Sequence, residues 1–230
     1  MSPDPKPMKN QAVNHERKRD EEHTLPREIY FSESYFSQRG LYSLCQQLIE
    51  VYKTGCETLL EVGKGNGFVS DFLRSAGVKV TTIDVNPALH PDVIGSIKDL
   101  DEIFGKTAFD CVLCAEVLEH MPFSDFESSL HTLRKHTRGT CIITVPRCDP
   151  MPHEVAFRVR LPFVGNRGMK LNFPNRAARS ALYPGHHWEL NCDEGCSIEN
   201  IRAVMLRSFS SVQDYRFDGN PYHQFFLLKV

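Results

Sequence analysis

The stretch Leu59-Leu60-Glu61-Val62-Gly63-Lys64-Gly65-Asn66-Gly67-Phe68 limits what this chain can fold into more than any other. An apolar run ends in a carboxylate, and a glycine cluster then opens a segment with helical spacing at Phe68, Val69, Phe72 and Leu73. A strand, a tight turn and a helix in that order place the turn where open parallel sheets bind ligands. Glycine suits the turn because a Cβ would forbid positive φ and keep a ligand off the backbone. The free N–H groups of the following helix face any anion bound there. The glycines run Gly63, Gly65, Gly67, and Phe68 stands where the dinucleotide fingerprint needs its last glycine. NAD and FAD are therefore disfavoured, and with them a nicotinamide oxidoreductase.

A second strand, Lys79 to Ile83, ends at Asp84. That acid lies about 20 residues beyond the first loop glycine, the separation that brings a carboxylate to ribose hydroxyls in a βαβ unit. The plainer alternative is a turn aspartate before Asn86-Pro87. Val93-Ile94 reads as a short third strand, Phe109 to Cys114 as a fourth and Thr140 to Pro146 as a fifth, with Gly139 as the stop before it. Apolar residues from Ser37 to Tyr52 recur at three- and four-residue spacing, as for a helix on the sheet edge. Ser124-Asp125-Phe126-Glu127 has the form of a capping box, and Ser197 caps a last helix through Ile201, Val204, Met205 and Phe209. Two strands, 211 to 217 and 223 to 230, close the chain around Asp218-Gly219-Asn220-Pro221.

With 230 residues the chain has room for one α/β domain, here residues 28 to 230, after a charged, Pro- and Asn-containing tail over 1 to 27 expected to be mobile. A net charge of −2 gives no reason to expect nucleic acid as partner. No apolar run follows Met1 and none reaches the length of a membrane span, so a soluble, cytoplasmic protein is expected. Three of the eight cysteines fall inside apolar strand runs, and reduced thiols are expected throughout.

Two motifs carry a family resemblance. Glu61 to Gly67 resembles the acidic residue and G-x-G-x-G of class I S-adenosylmethionine (SAM)-dependent methyltransferases, and Phe109 to His120 resembles their fourth-strand pattern F-D-x-V-x-x-x-x-V-L-E-H. The resemblance implies a three-layer α/β sandwich: a mostly parallel seven-stranded sheet with helices on both faces and an antiparallel C-terminal hairpin strand. The final two strands support it independently, because the dehydrogenase form of the sheet does not end that way. It further implies SAM as cofactor and S-adenosylhomocysteine as product. Glu61 would hold the ammonium, and the loop of Gly63, Lys64, Gly65, Asn66 and Gly67 the carboxylate. Asp84, with Val85 beside it, would hold the ribose. Ser96, a hydroxyl where the family places an acid, would meet the adenine amino group, and Ile97 its face. Ala115, Glu116 and Val117 would lie beside the cofactor, with His120 at the cleft mouth.

Residues 147 to 190 interrupt the alternation with prolines, glycines and aromatics together, which reads as an ordered lid. Between Met151 and Leu190 six basic residues, Arg158, Arg160, Arg167, Lys170, Arg176 and Arg179, face Glu154 and Glu189. An anionic acceptor and a solvated face both account for that excess. If the acceptor must lose a proton, the candidate bases are His120 and His187, with His153 and His186 behind them. Trp188 could stack an acceptor or cover the sulfonium. His186, His187, Cys192 and Cys196 match no common zinc spacing, so no metal is expected. The expected activity is methyl transfer to a small or medium-sized acceptor at O, N or C. The alternative is a non-catalytic module of the same fold that docks a partner through the lid.

Overall fold

The computed structural model describes residues 24–33, 35–150, 153–161, 163, 165–173, 175, 177 and 181–230. Most of the expected tail, residues 1–23, lies outside the described residues, as do Arg176 and Arg179.

Seven strands form one sheet: β1 (Thr58–Val62), β2 (Lys79–Asp84), β3 (Val93–Ile94), β4 (Phe109–Ala115), β5 (Thr137–Pro146), β8 (Ser211–Arg216) and β9 (His223–Lys229). Their order is β3-β2-β1-β4-β5-β9-β8, with β9 antiparallel to both neighbours and the other pairings parallel. This is the expected α/β architecture. Continuous apolar runs in β1, β4 and β5 follow from their central position, since both of their faces are covered. On one face Val51 of α1 (Gln38–Lys53) and Val69 and Leu73 of α2 (Phe68–Ser75) pack on Leu59, Cys111, Leu113 and Ile142. On the other face α3 (Leu100–Phe104), α4 (Phe126–Lys135) and α5 (Ile198–Ser208) bring Leu100, Leu130, Leu133, Ile201 and Met205 onto Leu60, Val62, Val112 and Ile143. Each fully buried Leu or Ile contributes about 1.5–3 kcal/mol.

Several local expectations are corrected. The helix α1 lies on a face of the sheet rather than at its edge, because Val51 meets the central strands. Gly139 does not stop a unit; it sits inside β5, where a Cβ would come within 2.8 Å of the Asp110 carbonyl, beside the register irregularity between β4 and β5. The helix α4 starts without a side-chain cap, after a 3₁₀ turn at Phe123–Asp125. A capping box occurs instead at Ser96 and Asp99, where it opens the 3₁₀ turn Ile97–Asp99.

The segment expected as a lid contains β6 (His153–Leu161) and β7 (Gly165–Phe173), an antiparallel ribbon separate from the main sheet. Its register sets Val155 opposite Leu171 and Phe157 opposite Met169, and all four are exposed. The chain returns to the body through a parallel bridge between Arg147 and Leu190.

Candidate functional site

The carboxyl ends of β1, β2 and β4 meet at the glycine loop. Gly63 has φ +80, and a Cβ there would fall 2.4 Å from Val117 Cγ2. Only glycine meets both conditions, so the loop and the end of β4 lie in contact. Gly67 caps α2 in the left-handed region with φ 77, which turns the chain from loop to helix in one residue. Glu61, on the strand face toward α2, is buried beside Ser70. Burial raises its pKa to about 8 despite a hydrogen bond from Ser70 and the nearby charges of Arg74 and Lys64. Its Oε2 has no hydrogen-bond partner among the described residues. An ammonium donor would satisfy that atom and restore the carboxylate charge.

Asp84 ties the end of β2 to the loop. Its Oδ2 accepts from the Gly65 N–H at 3.3 Å and its Oδ1 from the Asn86 N–H at 2.8 Å. The bond to Asn86 is that of a turn aspartate, the plainer alternative, and the bond to Gly65 holds the loop against the end of β2. Lys64 passes beside Gly67 and reaches the turn after β2, its Nζ donating to the carbonyls of Leu89 (2.9 Å) and His90 (2.7 Å). Asn66 accepts from the Phe68 N–H at 3.1 Å and donates to the Tyr30 carbonyl at 3.4 Å, so it orders the helix start. Val85 is exposed beyond Asp84, and Ile97 is buried. The Ser96 hydroxyl donates to Asp99 Oδ2 at 2.8 Å and accepts from the Lys98 N–H at 3.2 Å, so closing the 3₁₀ turn engages it.

Beyond β4, Ala115 is half-buried and Glu116 takes φ 55, a strained backbone for a residue with a Cβ. Its carboxylate is fixed from two strands. Thr144 Oγ1 donates to Oε1 at 2.8 Å, and His223 Nε2 lies 3.2 Å from Oε2. Ser43 Oγ in turn lies 2.6 Å from His223 Nδ1. This array joins α1, β4, β5 and β9. Sequence reasoning missed Ser43, Thr144 and His223. A signal was present for His223, because the first residue of an antiparallel last strand falls at the carboxyl edge of the parallel strands.

The segment after the ribbon is strapped to the same edge. The His187 N–H donates to the Glu119 carbonyl at 2.7 Å and Trp188 Nε1 to the Leu118 carbonyl at 3.0 Å. The expectation that Trp188 covers a ligand is overturned, since it is 2% exposed and packs edge-on against Phe123 and Phe126. Its neighbours divide: His187 is exposed, while His186 is buried with its ring 4.8 Å from that of His120. His153 is exposed at the start of β6. The cysteines Cys192 and Cys196 gather around Asp193 rather than around the histidines.

A family profile described as methyltransferase domain matches residues 15–202. The chain belongs to the methyltransferase-domain family. None of the curated proteins matches the sequence of this methyltransferase. Its fold is similar to those of three solved methyltransferases. One is the N-methyltransferase NodS from Bradyrhizobium japonicum in complex with S-adenosyl-L-homocysteine, at 11% identity and TM-score 0.53 over 94% of this chain and 96% of that one. The second is the 1,6-didemethyltoxoflavin-N1-methyltransferase of Burkholderia thailandensis with bound 1,6-didemethyltoxoflavin and S-adenosylhomocysteine, at 14% and 0.50 over 100% and 92%. The third is the glycopeptide N-methyltransferase MtfA complexed with S-adenosyl-L-homocysteine, at 12% and 0.51 over 80% and 89%.

Within this methyltransferase, Glu61, Gly63, Gly65, Gly67, Asp84, Glu116 and Val117 come together at one sheet edge through the contacts above. The side chains of Lys64, Asn66 and Ser96 are engaged in building the loops around that edge. Of the histidines expected as bases, His120 faces His186, and His187 stands outside that pair. No helix among the described residues is long and apolar enough to cross a membrane.

Proposed function

We propose that the chain methylates a small or medium-sized acceptor at O, N or C, using SAM. The observation that supports this reading most is Glu61, a buried carboxylate with an unpartnered oxygen beneath a glycine loop whose Gly65 amide is bound to Asp84. In this reading Glu61 receives the ammonium of the cofactor, the amides at the start of α2 receive its carboxylate, and Asp84 receives the ribose hydroxyls. Val85, exposed beyond Asp84, borders the adenine, and Ile97 supports that turn from the core. SAM supplies a methyl group on a sulfonium, whose positive charge disperses during in-line displacement. The protein then has to fix the approach and exclude water.

Glu116 sits next to Val117, which touches Gly63, and so lies on the acceptor side of the loop. Its carboxylate, with His223 behind it, is the group that takes a proton from an acceptor hydroxyl or amine. Ser43 and Thr144 hold that pair in register. The exposed apolar side of the ribbon forms the lid in this scheme, closing on acceptor and cleft together. The same ribbon favours a second reading, a module that docks a partner through Val155, Phe157 and Leu171.

Isothermal titration tests the cofactor reading. SAM and S-adenosylhomocysteine should each bind at one site, and NADH should not. Folded protein that binds neither adenosyl compound would refute the proposal.

A further inference from the structure

A cluster just past the end of β4 is not used by the methyl-transfer scheme. Glu119, His120 and His186 each bring one ligand atom to within 4.8 Å of the others. Glu119 is fully buried and His186 nearly so, while His120 is half-buried. The backbone that holds them is strapped together by the bond from the His187 N–H to the Glu119 carbonyl.

Both imidazoles are oriented from behind. His186 Nδ1 lies 2.8 Å from Glu189 Oε1, which also accepts the Tyr183 N–H at 2.8 Å and the Tyr222 hydroxyl at 2.9 Å. An oxygen that collects donors from the Tyr183 amide and the Tyr222 hydroxyl acts as an acceptor, so His186 donates to it from Nδ1. His120 Nδ1 lies 3.4 Å from the Gly185 carbonyl, which can only accept. Both rings then carry their lone pair on Nε2. A ring nitrogen fixed by a carboxylate or carbonyl is the usual support of a metal-bound histidine.

We propose that Glu119, His120 and His186 form a binding site for a divalent transition metal of the zinc type. Two imidazoles and one carboxylate suit such an ion better than magnesium or calcium, which favour oxygen. Metal–ligand bonds of about 2.0–2.2 Å space tetrahedral donors roughly 3.5 Å apart, so the cluster closes by about an ångström on loading. Three protein ligands leave a fourth position for water or an acceptor oxygen. That last role rests on the methyltransferase reading; the binding of the ion does not.

The other group with metal-ligand donors, Cys192, Asp193 and Cys196, serves as the internal control. Burial, with Cys192 and Asp193 alongside, pushes the Cys196 thiol far above its ordinary range. Asp193 there closes a turn by accepting the Cys196 N–H at 2.9 Å.

The test uses the full chain stripped with a chelator, then titrated with Zn²⁺ and, separately, Co²⁺. One equivalent of zinc should bind, and the cobalt form should show visible ligand-field bands without sulfur-to-metal charge transfer. His120→Ala and His186→Ala should each weaken zinc binding at least a hundredfold, and Glu189→Gln about ten- to a hundredfold as a positioning residue. Cys192→Ser/Cys196→Ser should bind as before. Should the buried-site variants fail to fold, the half-buried His120→Ala decides. Folded protein that binds no zinc would overturn the proposal, as would zinc kept by His120→Ala but lost with the two cysteines. SAM titrated into the same samples separates the two proposals. Adenosyl binding without zinc defeats the metal site alone, and zinc without adenosyl binding defeats the cofactor reading alone.

Discussion

The two halves of the candidate cleft are built in opposite ways. On the proposed cofactor side, Glu61, the glycine loop and Asp84 lie close together in the chain, and Gly65 meets Asp84 only 19 residues away. On the proposed acceptor side, Ser43 and His223 meet across 180 residues, and Glu116 reaches Thr144 across 28. The first half depends on backbone conformation, the second on side chains brought together by the sheet order. Cofactor binding and proton handling should therefore fail separately.

The largest effect is expected at the loop itself. Gly63→Ala forces a left-handed conformation on alanine and drives its Cβ into Val117, at a cost of about 2–5 kcal/mol of stability by the usual penalties for φ and overpacking. Urea denaturation measures it. Adding Val117→Ala should recover the packing part only, and recovery of the whole loss would show that φ is not constrained.

Asp84→Ala removes the acceptor of the Gly65 N–H and, in the proposed complex, of the ribose hydroxyls. SAM binding should weaken by about 2–3 kcal/mol, roughly thirty- to two-hundredfold, as read by calorimetry. An unchanged affinity would remove the ribose role.

Glu116→Gln sharpens the contrast. Once an acceptor is in hand, turnover should fall about a hundredfold or more while the dissociation constant for SAM holds within twofold. Equal losses in both would mean that the two halves are not separate.

A further effect concerns protons. The Glu61 carboxyl has a folded pKa of about 8 against an ordinary 4.5, so the unfolded chain gives up its proton first as pH rises. The folded state then holds more protons than the unfolded one, and this group's contribution to stability declines from about pH 4.5 to about 8. The melting temperature of the ligand-free protein should fall relative to Glu61→Gln across that window. Binding an ammonium there should release up to one proton near pH 7, visible as a buffer-dependent calorimetric enthalpy. Buffer independence would place the ammonium elsewhere. The smallest change is expected in the ribbon: Phe157→Ala should alter stability by under about 0.5 kcal/mol, because its ring is exposed. A larger loss would mean that the ribbon packs on something in solution.

The cofactor half was legible because its signals are local. A strand end, three spaced glycines and a second strand-end acid follow from chain geometry over a few residues, and the structure has them at one edge. At Ser96 a second local signal went unread in the sequence. A serine three residues before Asp99 forms a capping box, and that local bond uses the hydroxyl expected at the adenine. Around Trp188 the sequence offered two histidines and a tryptophan with nothing to rank them. Burial did so, putting Trp188 in the core, His186 against His120 and His187 outside.

The sequence by itself determined the βα alternation, the loop conformation and the positions of Glu61 and Asp84, since backbone sterics and hydrophobic periodicity act over short separations. Only the tertiary structure decided that Ser43, Glu116 and His223 form one array and that Glu119, His120 and His186 share one cluster. Those meetings depend on where the antiparallel β9 inserts and on how the 183–190 segment is strapped to β4, and the long-range packing that fixes them leaves no local trace in the order of residues.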